Sequence, residues 1–321
     1  MKFGMLFPGY GSQFVGMGKE LYDNQRLVQE YFEEAATCLS INFVKLCFAS
    51  SEIELAKPCH AYTSLFLMGA SSTALLRERG IRPAVVAGVD AASWYSSLFA
   101  AESINLPDGL YILNKLGVVY EELLRQNKFS GILIKGATKK KVEHFCNEVS
   151  TAEQTASIAQ IVPQGFVVVG HTRAIEELGV AVQSVAGITY EAADIGGGLS
   201  MSAAEEVILQ VNSYLEKIDF KTPAVPVISP LNGKLIKTSK ELKHVSSIIF
   251  VQQLDRIAVF KKIAQNDRLC SAIPSLQIRS NIVSLLPDLK IDSMETVAEF
   301  EALQAQYRTD EENKKESENV E

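Results

Sequence analysis

Short apolar segments that end in tight turns constrain the fold of this chain more than any other feature. Residues 83–88 form such a segment, and a helical pattern at 91–101 follows it within three residues. The segment at 2–7 is also apolar, and Pro8 with Gly9 must turn the chain directly after it. A buried strand that leads straight into a helix is typical of parallel α/β sheets, which place their sites at the carboxyl ends of the strands. We therefore predict an α/β fold with a parallel sheet.

Residues 128–195 carry a different pattern. Strand and helix signals alternate there in the order β-α-β-β-α-β, which is the ferredoxin-like split βαβ unit. The strands are predicted at 131–134, 156–162, 166–169 and 187–190, and the helices at 139–149 and 173–182. We predict that this small subdomain is inserted into a large domain formed by residues 1–127 and 196–305.

The remainder of the chain is predicted to return to the large domain. Three glycines at 196–198 are interpreted as a linker back to it. Helical patterns are expected at 202–218 and across the whole of 239–265, with a strand at 225–229 between them. From 306 onward the chain is polar and acidic, so we expect residues 306–321 to be a disordered tail.

Composition excludes several classes of function. Hydrophobic residues make up 47% and charged residues 21% of the 321 positions, which is typical of a globular protein with a full core. The formal net charge of -7 argues against a nucleic-acid binder, because phosphate binding needs a clustered basic surface. No stretch reaches the roughly 18 consecutive apolar residues of a membrane span, and Pro8 and Gly9 interrupt the apolar start too early for a signal peptide. None of the five cysteines lies in a C-x-x-C pair, so we expect no disulfide framework, no metal site and a reducing cytoplasm.

The opening segment FPGYGSQFVGMGKELYDN, residues 7–24, closely resembles the start of the malonyl-CoA:acyl carrier protein transacylase family. That family opens with F-P-G-Q-G-S-Q followed by V-G-M-G, and only Tyr10 departs from the heptapeptide here. PVISPLNG at 226–233 is similar to the strand and turn that follow the family's second catalytic motif. The resemblance extends from Met1 to about Ile291. It implies an α/β-hydrolase-like large domain with an inserted ferredoxin-like subdomain.

The catalytic motifs of the family are altered at the matching positions. The family's nucleophile is the serine of a G-H-S-L-G-E elbow, and Asp90 stands in that slot. Its general base is the histidine of F-H-S-x-L-M, and Gly197 stands in that slot. The arginine that binds the malonyl carboxylate is replaced by Leu116, with Lys115 one residue away.

These replacements remove the groups that acyl transfer needs. In the family, a serine that is deprotonated by the histidine attacks the thioester and holds the acyl group as an ester. Attack by Asp90 would give a mixed anhydride, which hydrolyses easily, and Gly197 offers no base. Loss of triad members costs about 10⁴ to 10⁶ in rate, so we predict that the family's reaction is lost at these positions. The resemblance leaves an oxyanion hole, formed by the backbone N–H groups of Tyr10 and Ala91.

Other nucleophiles and bases are interpreted as ordinary structural residues. We expect the four histidines on the surface or at helix caps: His60, His144, His171 and His244. Cys59 and His60 resemble a nucleophile–base pair, but neighbours in a chain rarely face each other. Ser93, beyond the elbow, is interpreted as a helix serine. The basic run at 139–141 is interpreted as the solvated start of a helix or as a contact for an acidic carrier protein.

Three functions stay open from the sequence. The first is a catalytically inactive homologue that acts as a binding or regulatory protein in fatty-acid or polyketide synthesis. The second is an active transacylase with displaced residues, and the third is a thioester hydrolase in which Asp90 activates water. The resemblance implies no cofactor, and malonyl-CoA or another acyl-CoA as the ligand. It also implies an acyl carrier protein or another synthase component as the partner, and neither nucleic acid nor a membrane is expected.

Overall fold

Two sheets organise the chain, and they are drawn from different stretches of the sequence. The computed structural model describes residues 2–126, 128–193, 204–274 and 276–318, and their side chains except those at 204–208, 276–278 and 308–318. The strands are β1 (Phe3–Phe7), β2 (Val85–Gly88), β3 (Phe129–Lys135), β4 (Ala156–Val162), β5 (Gly165–His171), β6 (Thr189–Ala192), β7 (Val227–Ile228), β8 (Leu235–Ile236), β9 (Leu254–Asp255), β10 (Arg268–Ser271) and β11 (Ile291–Ser293). The helices are α1 (Lys19–Asn24), α2 (Arg26–Leu39), α3 (Phe43–Ala49), α4 (Glu52–Leu55), α5 (Pro58–Glu78), α6 (Ala91–Ala100), α7 (Leu106–Arg125), α8 (Lys139–Val149), α9 (Thr172–Gln183), α10 (Ala204–Leu215), α11 (Ser239–Ile248), α12 (Arg256–Ile263), α13 (Leu276–Leu285) and α14 (Val297–Glu318).

The large sheet has the strand order β11-β10-β1-β2-β7-β8 in the described part of the chain. The pairs from β11 through β7 are parallel, whereas β8 runs antiparallel to β7. Every residue of β1 and of β2 is buried. Such continuous apolar strands are expected where helices cover both faces of a parallel sheet.

The carboxyl ends of β1 and β2 lie side by side, because Phe7 is in register with Gly88. The loop that follows β1 therefore runs beside the turn that joins β2 to α6. The long helix α5 is buried along most of its length and packs against both α6 and α7. Among the described residues, no helix, α5 included, has both the length and the apolarity needed to cross a membrane.

The small sheet has the strand order β6-β3-β5-β4-β9 in the described residues. Its first four strands pair in antiparallel fashion, and β9 joins the edge of β4 in parallel. Helices α8 and α9 pack on one face around an apolar cluster that includes Ile134, Val168 and Leu178. The chain order β3-α8-β4-β5-α9-β6 is the predicted ferredoxin-like unit, so the predicted fold class is confirmed.

The single helix predicted at 239–265 is wrong. The structure has α11, β9 and α12 in this segment. Leu254 is buried and pairs with Gln160 of β4, while the Asp255 side chain accepts a hydrogen bond from the Ala258 N–H and so begins a new helix. A strand of two residues is too short to leave an alternating pattern of its own in the sequence.

The predicted disordered tail at 306–321 also differs from the structure, in which α14 continues through Glu318. Residues 297–318 contain neither glycine nor proline and are rich in alanine, glutamate, lysine and glutamine, all of which favour a helix. The low apolar content that motivated the prediction limits burial but does not oppose helix formation.

Candidate functional site

The turn between β2 and α6 brings a strand and a helix into close contact. A Cβ atom at Gly88 would collide with the backbone of Ser93 and Trp94, so glycine is needed for the helix to start this near the strand. Asp90 is the N-cap residue of α6, and its Oδ1 accepts a hydrogen bond from the Ser93 N–H at 2.9 Å. The Ser93 Oγ accepts one from the Asp90 N–H at 3.1 Å, which completes a capping box. Asp90 and Ser93 therefore hold the start of this helix together.

The Asp90 carboxylate is fully buried, and both of its oxygens accept hydrogen bonds. Oδ2 accepts from the Tyr10 N–H at 2.7 Å, and Oδ1 accepts from the Ser93 hydroxyl at 2.8 Å as well as from the Ser93 N–H. A Cβ atom at Gly9 would collide with this carboxylate, so the loop after β1 approaches it closely only because residue 9 is glycine. Three donors therefore stabilise the carboxylate charge in the interior.

The two residues predicted to form the oxyanion hole lie on either side of Asp90. Ala91 is the first residue of α6, and Tyr10 is in the loop after β1. The Tyr10 N–H already donates to Asp90, so the protein's own carboxylate occupies a donor that an oxyanion would use. The Tyr10 hydroxyl donates to the Ala56 carbonyl at 2.8 Å, and its ring packs edge-on against Tyr62 at 5.7 Å between centroids. These contacts fix the position of the Tyr10 backbone.

Arg256 is a site residue that the sequence did not predict. It is the first residue of α12, and its Nη2 lies 3.9 Å from Asp90 Oδ2. Burial lowers the pKa of the Arg256 guanidinium, and the Asp90 charge opposes that shift. Because residues 239–265 were predicted as one helix, Arg256 was not recognised as the start of a new helix. Asp255, directly before it, is an N-cap signal that could have indicated this start.

A cavity of about 350 Å³ separates the small sheet from the loop after β1. Leu133, Val162 and Val167 give it an apolar wall, and Gln160 and Gln164 contribute amide groups. Tyr10 and Arg256 line its other side, next to the buried Asp90. Among the described residues that line the pocket, Arg256 is the cation, and the Asp90 carboxylate in the nucleophile slot is buried behind it.

Leu116 and Lys115, the predicted arginine slot and its neighbour, do not line this cavity. Leu116 is fully buried in α7 within the main hydrophobic core. The Lys115 Nζ lies 5.9 Å from the centre of the Tyr111 ring, in a cation–π contact. Neither residue lines the cavity. Gly197, in the predicted histidine slot, lies outside the described residues.

The four histidines do not gather at the site. His60 Nδ1 lies 3.0 Å from the Glu54 carbonyl oxygen, and His144 lies beside Glu148 on α8. His171 stands at the predicted N-cap position of α9, but its ring accepts a hydrogen bond from the Thr155 N–H instead of capping the helix. His244 lies on α11. Within the described residues, no group of three or more His, Cys, Asp or Glu side chains could hold a metal ion.

The Cys59 thiol is expected to be unreactive at neutral pH. Burial raises its pKa to about 12, and the Glu121 carboxylate adds to the rise. A thiol with a pKa of about 12 is almost entirely protonated, and therefore neutral, at pH 8. About one thiol in ten thousand is then ionised. Iodoacetamide at pH 8 should therefore modify the exposed Cys38 and leave Cys59 intact, as read by peptide mass mapping. Preferential labelling of Cys59 would contradict this expectation and would support Cys59 and His60 as a nucleophile–base pair.

Curated relatives of this chain are transacylases. No protein-family model matches the chain. It is 26% identical to the malonyl CoA-acyl carrier protein transacylase of Bacillus subtilis (strain 168) over 244 residues, which cover 76% of this chain and 77% of the relative. It is 24% identical to the enzyme of that name from Staphylococcus aureus (strain MRSA252) over 304 residues, which cover 92% of this chain and 96% of the relative.

Solved structures agree with the sequence relatives. A malonyl CoA-acyl carrier protein transacylase from Clostridium perfringens matches with a TM-score of 0.88 and 20% identity, covering 98% of this chain and 100% of that chain. A malonyl-transacylase in complex with its type II PKS acyl-carrier protein matches with a TM-score of 0.85 and 21% identity, covering 93% and 97%. The fold is that of an acyltransferase. Together with the sequence relatives and the opening motif, it makes the chain similar in sequence and in fold to malonyl-CoA:acyl carrier protein transacylases.

Proposed function

We propose that this chain has lost acyl transfer and acts as a binding or regulatory protein in fatty-acid or polyketide synthesis. The observation that carries the proposal is the state of the Asp90 carboxylate. It stands in the slot of the family's nucleophile, is fully buried, and accepts hydrogen bonds from Tyr10 and Ser93 at 2.7–2.9 Å. A buried group with these bonds holds the elbow together and is not exposed to a substrate.

Ser93 does not replace the missing nucleophile. Its hydroxyl donates to Asp90 Oδ1 at 2.8 Å and accepts from the Val89 N–H at 2.8 Å and the Asp90 N–H at 3.1 Å. The side chain has no exposed surface. An attacking serine needs a base that takes its proton and a path to the thioester carbon. The proton and the lone pairs of the Ser93 hydroxyl are instead used in its hydrogen bonds with Asp90 and Val89.

The thioester hydrolase alternative is disfavoured for a related reason. A general base must lie within hydrogen-bond reach of the water that it activates. Asp90 has no exposed surface, and each of its oxygens already accepts a bond from the protein. A water could reach the carboxylate only if the packing around Asp90 opened.

The proposed partner is an acyl carrier protein or another synthase component. This rests on the family, since the relatives are named for transfer to acyl carrier protein and one similar structure contains that partner. The exposed first turn of α8, with lysines at 139–141, offers a positive surface to an acidic partner.

Intact-protein mass after incubation with malonyl-CoA, with and without holo acyl carrier protein, tests the loss of activity. The expected result is no added mass on this chain, no malonyl-carrier product, and release of CoA at the rate of the buffer blank. The Bacillus subtilis relative, run in parallel, should be at least about 10⁴-fold faster. A malonyl adduct would contradict the proposal and peptide mapping would name its residue, whereas CoA release without an adduct would favour the hydrolase.

A further inference from the structure

Another cavity lies at the amino ends of the parallel strands. Its volume is about 440 Å³, within the range of about 300–1,000 Å³ that is usual for small-molecule sites. Lys2, Ala84 and Pro226 line it, and each directly precedes one of the neighbouring strands β1, β2 and β7. The loop that carries Tyr10 follows the opposite, carboxyl end of β1. This cavity is therefore separate from the Asp90 site.

One part of the cavity is apolar. Leu235 lies in the short edge strand β8 and keeps 38% of its surface exposed, although its neighbour Ile236 is buried. Ala84 and Pro226, which line the cavity with Leu235, are half-buried. These three residues leave apolar surface in contact with water. A bound alkyl chain would remove that surface from water, which is favourable.

The charge of the cavity is positive. Lys2 and Lys262 line it, and none of the described residues that line it is acidic. Ion pairs with a carboxylate are formed by other lysines, namely Lys19, Lys57, Lys135 and Lys139. Within the described ranges, neither Lys2 nor Lys262 forms one. Asp267 accepts a hydrogen bond from the Lys2 backbone N–H at 3.1 Å, but it does not line the cavity.

We infer that this cavity binds an anionic amphiphile, a linear alkyl chain with one anionic head group. The head lies at Lys2 and Lys262, and the chain lies against Leu235. The Lys262 ammonium donates to the Gln265 side-chain oxygen at 2.8 Å, which uses one of its three N–H donors and holds it at the cavity. An ammonium is a point charge without the planar fork of a guanidinium, so the charge of the head matters more than its shape.

The inference goes beyond the proposed function and does not depend on it. The cavity shares no lining residue with the one beside Asp90. Its ligand is selected by two lysines and an apolar surface at the other end of the strands. Whether or not the chain transfers acyl groups, this second site can be tested by itself.

The position of Lys262 has a second explanation that the experiment must separate. Lys261 and Lys262 are both in the last turn of α12, where a positive charge stabilises the helix dipole. Lys261 is exposed and does not line the cavity. Lys261→Gln is therefore the matched control, because it removes the same charge from the same helical turn without touching the cavity.

Titration calorimetry of the full chain with octanoate, below the concentration at which it forms micelles, tests the inference. Octanamide is the matched neutral ligand, since it has the same chain and no charge, and acetate is the head without the chain. We expect octanoate to bind at least about fivefold more tightly than either. Added salt should weaken the binding of octanoate and leave that of octanamide unchanged, because ions screen a charge contact at the surface.

The variants assign the two parts of the ligand. Lys262→Gln and Lys2→Gln should each reduce the preference for octanoate over octanamide. Leu235→Ser should weaken both ligands by a similar factor, because both carry the chain. Lys261→Gln should bind both ligands as the wild type does.

The inference would be overturned by a wild type that does not bind octanoate, or that binds octanoate and octanamide equally. It would also be overturned by an unchanged preference in folded Lys262→Gln protein, since the ligand would then lie elsewhere. An equal loss in Lys261→Gln would have the same consequence, because overall charge alone would explain it. Circular dichroism establishes whether each variant is folded, and Lys2→Gln decides if Lys262→Gln does not fold.

Discussion

Replacement of Asp90 by alanine is expected to lower the free energy of unfolding by about 3–5 kcal/mol. The substitution removes the acceptor for the Tyr10 N–H, for the Ser93 N–H and for the Ser93 hydroxyl, all within the interior. It also leaves the largely buried Arg256 cation without its counter-charge. A catalytic nucleophile is usually dispensable for stability, so a large loss would identify Asp90 as part of the structure.

Urea unfolding followed by circular dichroism measures this loss. Asn105→Ala is the matched control, because the Asn105 side chain also caps a helix, accepting from the Asp108 N–H at 2.7 Å, but it is exposed. That control should cost about 1 kcal/mol. Similar losses in the two variants would mean that Asp90 acts as a helix cap and nothing more.

Gly88→Ala is expected to lower the free energy of unfolding by about 3 kcal/mol or more. The added methyl group would collide with the Ser93 carbonyl carbon and oxygen. Backbone atoms in the first turn of a helix cannot swing aside as a flexible side chain can. To relieve the collision, α6 would have to move away from β2, and that would pull the Asp90 carboxylate off Tyr10.

The control for this variant is Gly80→Ala. Gly80 has a φ of 74°, and nothing lies within 4 Å of the place where a Cβ atom would stand. Its substitution should therefore cost only the strain of a left-handed backbone, about 1 kcal/mol. Thermal unfolding of the two variants beside the wild type separates the effects. A Gly88→Ala protein as stable as the Gly80→Ala protein would show that the helix can shift without loss.

The parts of the fold that local sequence determines were predictable. β2 and α6 follow from an apolar run, a glycine and a helical spacing, so the sequence was sufficient to place Asp90 at the end of a buried strand. The β4–β5 hairpin was predicted because Pro163 and Gly165 mark its turn. Each of these signals lies within a few residues of the feature that it predicts.

The contacts that form the site were harder to predict from the sequence. Arg256 reaches Asp90 only because Leu254 pairs with Gln160, a contact between residues far apart in the chain that leaves no local pattern. Ser93 is a different case, since an aspartate three residues before a serine at a helix start is close to the capping-box pattern. Interpreting Ser93 as a plain helix serine overlooked that signal. The histidine slot at Gly197 stays a prediction.

The short strand β9 connects the two sheets. Leu254 belongs to the small sheet through its pairing with β4, while the Asp255 N–H donates to the Pro230 carbonyl beside β7 of the large sheet. α12 begins at the next residue and packs against β1 and β2. Arg256, the first residue of that helix, therefore lies at the junction of the two sheets. The 3.9 Å between its guanidinium and the Asp90 carboxylate depends on how the small sheet is placed against the large one.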